Sequence, residues 1–181
     1  MTLNTSLHIL KLKVYAMELS DALKKLLPAF EQYYTVKKET TSPFCAEAEF
    51  RSHNEQYFLV RQAHIADIDS NEFVFFALIP ELNNQNLNEL SQAAWSNGLS
   101  RVKPYNGHRN SDITLIILTN SILQDTKKSI KKTKLHKSYK FSFYGWSNFK
   151  LAVAELNTNS VYFNRFGKDY RKLLNKNIFN R

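Results

Sequence analysis

The chain contains 181 residues, of which 43% are hydrophobic, and its formal net charge is +9. This composition excludes a wholly disordered chain and a collagen-like repeat. The single cysteine, Cys45, excludes an intramolecular disulfide. The longest apolar run, residues 73–79, is far shorter than the roughly 20 residues that a membrane helix needs. We therefore expect one cytoplasmic domain over residues 1–181, without membrane association.

The first 40 residues are predicted to form a helical N-terminal region. Leucines recur from Leu3 to Leu10 at helical spacing, and a second helical run follows with Ser20 or Asp21 as its N-cap. Pro28 lies inside that run, so the helix either kinks there or ends just before the proline.

Residues 41–173 are predicted to form a sheet-based core. Apolar and polar residues alternate from Phe44 to Arg51, which indicates a half-buried strand, and Tyr57–Ala66 is predicted to return as the other strand of a hairpin. The runs Glu72–Ile79 and Ile113–Leu118 are apolar on both faces, as central strands are. A helix over 86–98, capped by Asn86 and stopped by Gly98, separates these two runs. We therefore expect the two strands to be parallel.

The last third is predicted to contain a surface helix over 125–135, a strand over 140–156 with a break at Gly145, and a short hairpin strand over 161–164. A basic helix over 168–176 follows, and residues 174–181 are expected to form a frayed tail. The fold class is α/β in the broad, α+β sense. An N-terminal helical region precedes a mixed β-sheet of five to seven strands with two or three packed helices.

The charge is divided unevenly along the chain. Residues 1–125 hold 11 basic and 14 acidic residues, whereas residues 126–181 hold 14 basic residues and only Glu155 and Asp169 as acids. Such asymmetry is typical of a surface that meets a polyanion, although it is also compatible with an ordinary solvated, lysine-rich surface. The candidate polyanion-binding residues are Arg109, Lys127, Lys128, Lys131, Lys132, Lys134, Lys137 and Lys140.

Aromatic residues alternate with this basic segment. Tyr139, Phe141 and Phe143 would share one face of a strand, which is the pattern of a core stripe, but exposed rings could also stack on unpaired bases. Our first hypothesis is a non-catalytic binding module that engages nucleic acid through residues 127–150 and the terminal helix. The alternative is a protein-interaction or self-associating domain with an acidic partner, anchored by three aromatic residues, Tyr144, Trp146 and Phe149.

Enzymatic alternatives find less support. The four glycines do not form a phosphate-binding loop, and one cysteine with scattered histidines gives no zinc pattern, so we expect no cofactor and no metal. The order of elements resembles restriction-endonuclease-like nucleases, whose third strand carries Asp/Glu-x-Lys. Here that strand reads Glu72-Phe73-Val74, without lysine. A metal-dependent nuclease-like enzyme therefore remains a second alternative, and its candidate acids are Glu47, Glu49, Asp67 and Asp69.

The closing block of the chain carries a family resemblance. It comprises Lys137–Phe143, Gly145-Trp146, Leu151–Ala154, Val161, Asn164-Arg165 and Gly167. This block resembles an uncharacterised prokaryotic family, a domain of unknown function, and the resemblance extends over residues 10–173. It implies a single cytoplasmic domain and assigns no catalytic or ligand-binding residue.

Overall fold

The computed structural model of the chain describes residues 17–51, 69–106 and 108–181, with the side chain of Asp69 excepted. The helices are α1 (Leu19–Leu26), α2 (Pro28–Glu31), α3 (Asn84–Arg101), α4 (Gln124–Lys132) and α5 (Tyr170–Phe179), and a 3-10 turn spans Phe166–Asp169. The strands are β1 (Thr35–Lys37), β2 (Ala46–Arg51), β3 (Asp69–Leu82), β4 (His108–Ile122), β5 (His136–Ser138), β6 (Trp146–Glu155) and β7 (Ser160–Phe163).

Within the described residues the strands form one mixed sheet of seven, in the order β1-β2-β3-β4-β6-β5, with β7 also paired to β6. The long strands β3 and β4 are parallel and α3 connects them, which confirms the prediction for the two apolar runs. Strand β6 is parallel to β4 on its other side, whereas β2, β5 and β7 are antiparallel to their neighbours. The α+β fold class with a mixed sheet is therefore confirmed.

Both faces of the sheet are covered, because successive side chains of a strand point to opposite faces. One face packs against α1, α2 and α5 through Leu26, Phe30 and Leu174, which cover Phe76 and Ile116. The opposite face packs against α3 and α4. The buried side chains of that second core include Phe75, Leu87, Leu90, Ile117, Ile130 and Val153.

The N-terminal elements differ in detail from the sequence prediction. Helix α1 ends before Pro28, which occupies the first turn of α2, where its missing N–H costs no hydrogen bond. Strand β1 lies inside the first 40 residues, which were predicted to be helical, because Val36 pairs with Ala48 at the sheet edge. The leucine repeat from Leu3 to Leu10 lies outside the described residues.

The hairpin partner of β2 is β3, with Ala48 opposite Val74. The returning strand predicted over 57–66 lies outside the described residues.

Helix α3 is longer than predicted at both ends. Its N-cap is Asn83 rather than Asn86, and the two asparagines form a reciprocal capping box. The helix passes through Gly98 to Arg101, so the predicted stop is wrong. Gly98 is needed for packing instead, since a Cβ there would lie 2.6 Å from Cγ1 of Ile113 on β4.

The last third also departs from the prediction at two places. Residues 139–144 form a turn between β5 and β6 instead of continuing a strand, although the break expected at Gly145 is present. At the C-terminus, α5 continues to Phe179, and its Leu174 and Ile178 side chains are buried in the core. The frayed tail predicted from residue 174 is therefore wrong, because these apolar side chains hold the helix on the sheet.

Candidate functional site

Most of the predicted polyanion-binding lysines belong to consecutive segments of the chain: α4, the edge strand β5 and the start of the turn that follows. We call these six side chains the basic strip: Lys128, Lys131, Lys132, Lys134, Lys137 and Lys140. All six are exposed, and within the described part of the chain none of them has an acidic partner. An exposed ammonium without a carboxylate neighbour is free to contact an anion.

Lys127 does not belong to the basic strip. Its ammonium lies 3.3 Å from Oε2 of Glu155 and 5.0 Å from the ring centre of Tyr162. Contacts with Tyr162 and Glu155 raise the pKa of this ammonium, so it is charged but already engaged. Its predicted role in the interface is not supported by this position.

Arg109, the remaining predicted residue, lies at the start of β4 and is exposed. The backbone of Gly145 packs directly on its carbonyl group, and a Cβ added at Gly145 would overlap the Arg109 oxygen. The structure therefore brings Arg109 beside the turn that begins with Tyr139, although the two are far apart in the sequence.

We call Tyr139–Gly145 the aromatic loop, and its backbone conformation is unusual. Lys140, Phe141 and Ser142 have φ angles of 44°, 54° and 72°, in the left-handed region. That region disfavours residues with a Cβ by about 1–2 kcal/mol each. The conformation is held by hydrogen bonds from the Tyr139 N–H to the Gly145 carbonyl and from the Gly145 N–H to the Ser142 carbonyl, at 2.9 and 3.1 Å.

A buried histidine fastens the aromatic loop to the sheet. The ring of His108, only 3% exposed, has Nδ1 at 2.9 Å from the Tyr144 carbonyl and Nε2 at 2.9 Å from Oγ of Ser111. Because a carbonyl oxygen only accepts, Nδ1 carries the proton and donates to it, and the Ser111 hydroxyl donates to Nε2. The arrangement resembles an activated serine, but Ser111 is fully buried, so its role here is to hold the loop.

The turn places two phenylalanine rings in solvent. Phe141 is 96% exposed and Phe143 is 79% exposed, and Tyr105, which packs against His108 at the same end of the sheet, is 43% exposed. Leu123 completes the set of large exposed hydrophobic side chains in the described ranges. The interpretation of Phe141 and Phe143 as core residues is thus wrong.

The anchors of the alternative hypothesis are also placed differently from expectation. Phe149 is fully buried and packs against Trp95, while Tyr144 and Trp146 are half-buried. Phe149 therefore cannot serve as a surface anchor.

A separate cluster of charges lies on the face of the sheet that α1 and α5 cover. Lys150 on β6 places its ammonium 3.0 Å from Oε1 of Glu72 on β3 and 2.8 Å from Oδ2 of Asp112 on β4. We call these three residues the buried charge cluster, since their side chains are only 13–16% exposed. Thr114, Tyr34 and Tyr170 each donate a hydroxyl hydrogen bond to Glu72, at 2.6, 2.7 and 2.8 Å.

The ionisation of the cluster follows from these contacts. Burial pushes the pKa of Glu72 up, but Lys150 and the three hydroxyl donors more than offset it and leave this pKa below its usual value. Burial lowers the pKa of Lys150, whereas Glu72 and Asp112 raise it, and the net effect is a raised value. Burial and the Glu72 carboxylate raise the pKa of Tyr34, so its phenol stays protonated. Oδ1 of Asp112 is buried without a hydrogen-bond partner in the described residues.

The acids considered for a nuclease-like site are engaged elsewhere. Glu47 pairs with Arg101 of α3 at 2.7 Å, and Glu49 pairs with Arg51. Asp67 and the side chain of Asp69 lie outside the described residues. Across the described ranges, no three His, Cys, Asp or Glu side chains gather as metal ligands would.

Sequence reasoning missed the buried charge cluster, yet a signal was present. Glu72 and Asp112 each begin an apolar run, and Lys150 interrupts another between Phe149 and Leu151. A charged residue inside a strand that is otherwise apolar on both faces needs a buried partner, because an unpaired buried charge is too costly.

Among the helices in the described part of the chain, none combines the length and apolar character that crossing a bilayer requires.

Comparison with known proteins identifies a family but assigns no activity or ligand. No curated protein and no solved structure gives a significant match. A family model described as Domain of unknown function (DUF8052) matches residues 18–176, which include every element from α1 to most of α5. The chain therefore belongs to this family, the domain of unknown function DUF8052.

Proposed function

We propose that the protein is a non-catalytic binding module for nucleic acid, and that it uses the basic strip together with Arg109 and the aromatic loop. The observation that carries this proposal is that six exposed lysines have no acidic partner in the described ranges, and that the segment they occupy continues along the chain into a loop with two exposed phenylalanines. Cytoplasmic localisation, as expected from the sequence, is part of the same proposal.

Electrostatics supports an anionic ligand. Lysines that contact phosphates release the counterions condensed on a nucleic acid, and this release supplies most of the affinity of non-specific binding. A merely solvated lysine surface needs no aromatic neighbours. Here two of the four large exposed hydrophobic side chains in the described ranges lie in the aromatic loop, next to the basic strip. This placement favours an interaction surface over a lysine surface that is merely solvated.

The proposed interface is smaller than the one that the sequence suggested. The terminal helix α5 packs on one face of the sheet and α4 packs on the other. We therefore confine the interface to α4, β5 and the aromatic loop, and leave out the basic residues of α5.

The test is the dependence of nucleic-acid affinity on salt, measured by fluorescence anisotropy with short labelled oligonucleotides. Six phosphate contacts on duplex predict a log–log slope of about −5, and the same contacts on a single strand predict about −4. Absence of binding by micromolar protein at roughly 50 mM salt, where electrostatic affinity is high, would refute the proposal.

A matched pair of variants tests the location. The triple variant Lys128→Gln, Lys131→Gln, Lys132→Gln should weaken the duplex slope by about 3. The control changes three exposed lysines elsewhere, Lys25, Lys37 and Lys103, to glutamine and so removes the same charge. If the control weakens the slope equally, only net charge matters and the proposed interface is wrong.

An acidic protein partner, or self-association, is the second candidate, because Phe141 and Phe143 are exposed in a basic surrounding. This candidate would be favoured if light scattering shows that the parent chain is a dimer and that the Phe141→Ala variant is a monomer, and if the parent chain binds no nucleic acid.

A further inference from the structure

We infer that the aromatic loop makes the protein selective for single-stranded nucleic acid, with Phe141 and Phe143 stacking on unpaired bases. This inference rests on the proposed function and goes beyond it, since phosphate contacts alone do not distinguish single strands from duplexes of comparable charge.

The first support is the way in which the loop is built. Three consecutive residues with a Cβ occupy left-handed backbone, and the buried His108 holds the loop from below through the Tyr144 carbonyl. Backbone of this kind persists only where surrounding contacts impose it, and it is concentrated at binding and catalytic sites. In a regular strand, Phe141 and Phe143 would both lie on one face of the sheet. In this turn both rings are exposed to solvent.

The second support is the alternation of rings and charges in the loop. The Lys140 ammonium lies 4.3 Å from the ring centre of Tyr144, and the Lys137 ammonium lies 5.6 Å from that of Tyr139. These lysines therefore stay close to the aromatic rings. A chain that offers flat apolar faces and phosphates at short intervals matches this pattern, and unpaired nucleotides offer both.

The third support is the geometry of the possible ligands. In a duplex the base faces are buried in the stack, so exposed phenylalanine rings could reach only phosphates, sugars and base edges. Unpaired bases present their faces, and stacking on aromatic side chains tolerates any sequence. The exposed lysines of the basic strip belong to α4, β5 and the loop, which follow one another along the chain. We therefore commit to a single strand as the occupant rather than a compact acidic protein.

The experiment compares three labelled ligands of equal length: oligo-dT, a duplex, and an oligomer whose sugars carry no bases. Each is titrated with the full chain and with Phe141→Ala and Phe143→Ala variants. Stacking predicts that each variant weakens oligo-dT binding by about five- to a hundredfold. It also predicts little change for the duplex and the abasic oligomer, which keep the phosphates but offer no base face.

Substitutions at the same position separate stacking from general hydrophobic contact. Phe141→Tyr keeps a flat ring and should retain most oligo-dT affinity, whereas Phe141→Leu keeps an apolar side chain and should lose it. Because Phe141 and Phe143 are exposed, all these variants should unfold at the same temperature as the parent chain.

Several outcomes would overturn the inference while leaving the proposed function intact. Equal weakening for all three ligands would show that the rings only position the lysines. Unchanged affinity in both alanine variants would show that the rings do not contact the ligand. Tolerance of Phe141→Leu, together with tighter binding to phosphatidylserine vesicles than to oligo-dT, would show that the loop inserts into an anionic membrane instead. Failure of every nucleic acid and of the abasic oligomer to bind would overturn the proposed function itself.

Discussion

Replacement of Lys150 by methionine should strongly destabilise the protein, because it removes the only cation from the buried charge cluster. The ammonium lies within 3.0 Å of both Glu72 and Asp112. At an effective dielectric constant of about 20, each contact is worth about 5 kcal/mol. Removal of the lysine also removes the cost of burying its charge, which is several kcal/mol. We therefore expect a net loss of about 3–5 kcal/mol in the free energy of unfolding.

The pH dependence of the variant provides a second and sharper readout. In the parent chain the folded-state pKa of Glu72 is lowered, so this contribution to stability is present above the unfolded pKa of about 4.3 and is lost as pH falls through the folded value. The raised pKa of Lys150 gives a contribution that is complete below about pH 10.4 and lost only at still higher pH. Both contributions are therefore complete at neutral pH.

Without Lys150, burial acts on Glu72 without its compensating cation and should raise the pKa of this carboxyl above the usual range. The folded state then binds a proton more readily than the unfolded state. Stability of the variant should therefore increase as pH falls from neutral toward the unfolded pKa of about 4.3, which is the opposite of the behaviour that Glu72 gives the parent chain.

Urea unfolding followed by tryptophan fluorescence measures both effects, provided that the slope of the free energy of unfolding against urea concentration is the same in the variant and the parent chain. The exposed and unpaired Lys128 supplies the control, since Lys128→Met should change stability by less than about 0.5 kcal/mol. Adding Glu72→Gln and Asp112→Asn to Lys150→Met should recover part of the loss, because the carboxylates are then neutral. A loss below about 1 kcal/mol for Lys150→Met, with no inverted pH response, would show that water already screens these charges.

Two further substitutions test the local structure around the aromatic loop and the edge strand. Gly145→Ala should destabilise the chain by at least about 2 kcal/mol and weaken nucleic-acid binding, because φ is 78° and a Cβ would overlap the Arg109 carbonyl. A thermal melt measures the loss of stability, and the anisotropy assay measures the loss of binding. An unchanged melting temperature would contradict the close packing of Gly145 on Arg109. Asn164→Ala should cost about 2–4 kcal/mol, because this buried amide accepts from the Leu151 and Gly167 N–H groups and donates to two carbonyls. The same urea assay measures that loss, and a cost below about 0.5 kcal/mol would indicate that water replaces the side chain.

Periodicity was enough to predict much of the sheet. Alternation in residues 44–51 and the doubly apolar runs beginning at Glu72 and Ile113 correspond to β2, β3 and β4, because strand side chains alternate between faces and central strands are buried on both. The helix between the two apolar runs correctly indicated that they are parallel. Charge counting likewise located the basic segment, since it needs no knowledge of contacts.

Local pattern failed where a distant contact overruled it. Gly98 looked like a helix stop, yet the helix continues because the glycine lets Ile113 approach closely. Phe141 and Phe143 looked like core residues, yet His108 and Gly145 fix a left-handed turn that directs them outward.

Reading along the chain was enough to identify the apolar segments and the concentration of basic residues in the last third. It also showed that the four glycines match no phosphate-binding loop motif. The contact of Lys150 with Glu72, 78 residues away, and with Asp112 on the neighbouring parallel strand β4 arises from the fold. The fold also separated Lys127, which pairs with Glu155, from the exposed lysines beside it. Composition and periodicity depend on neighbours along the chain, whereas ion pairing and exposure depend on which strands and helices the fold brings together.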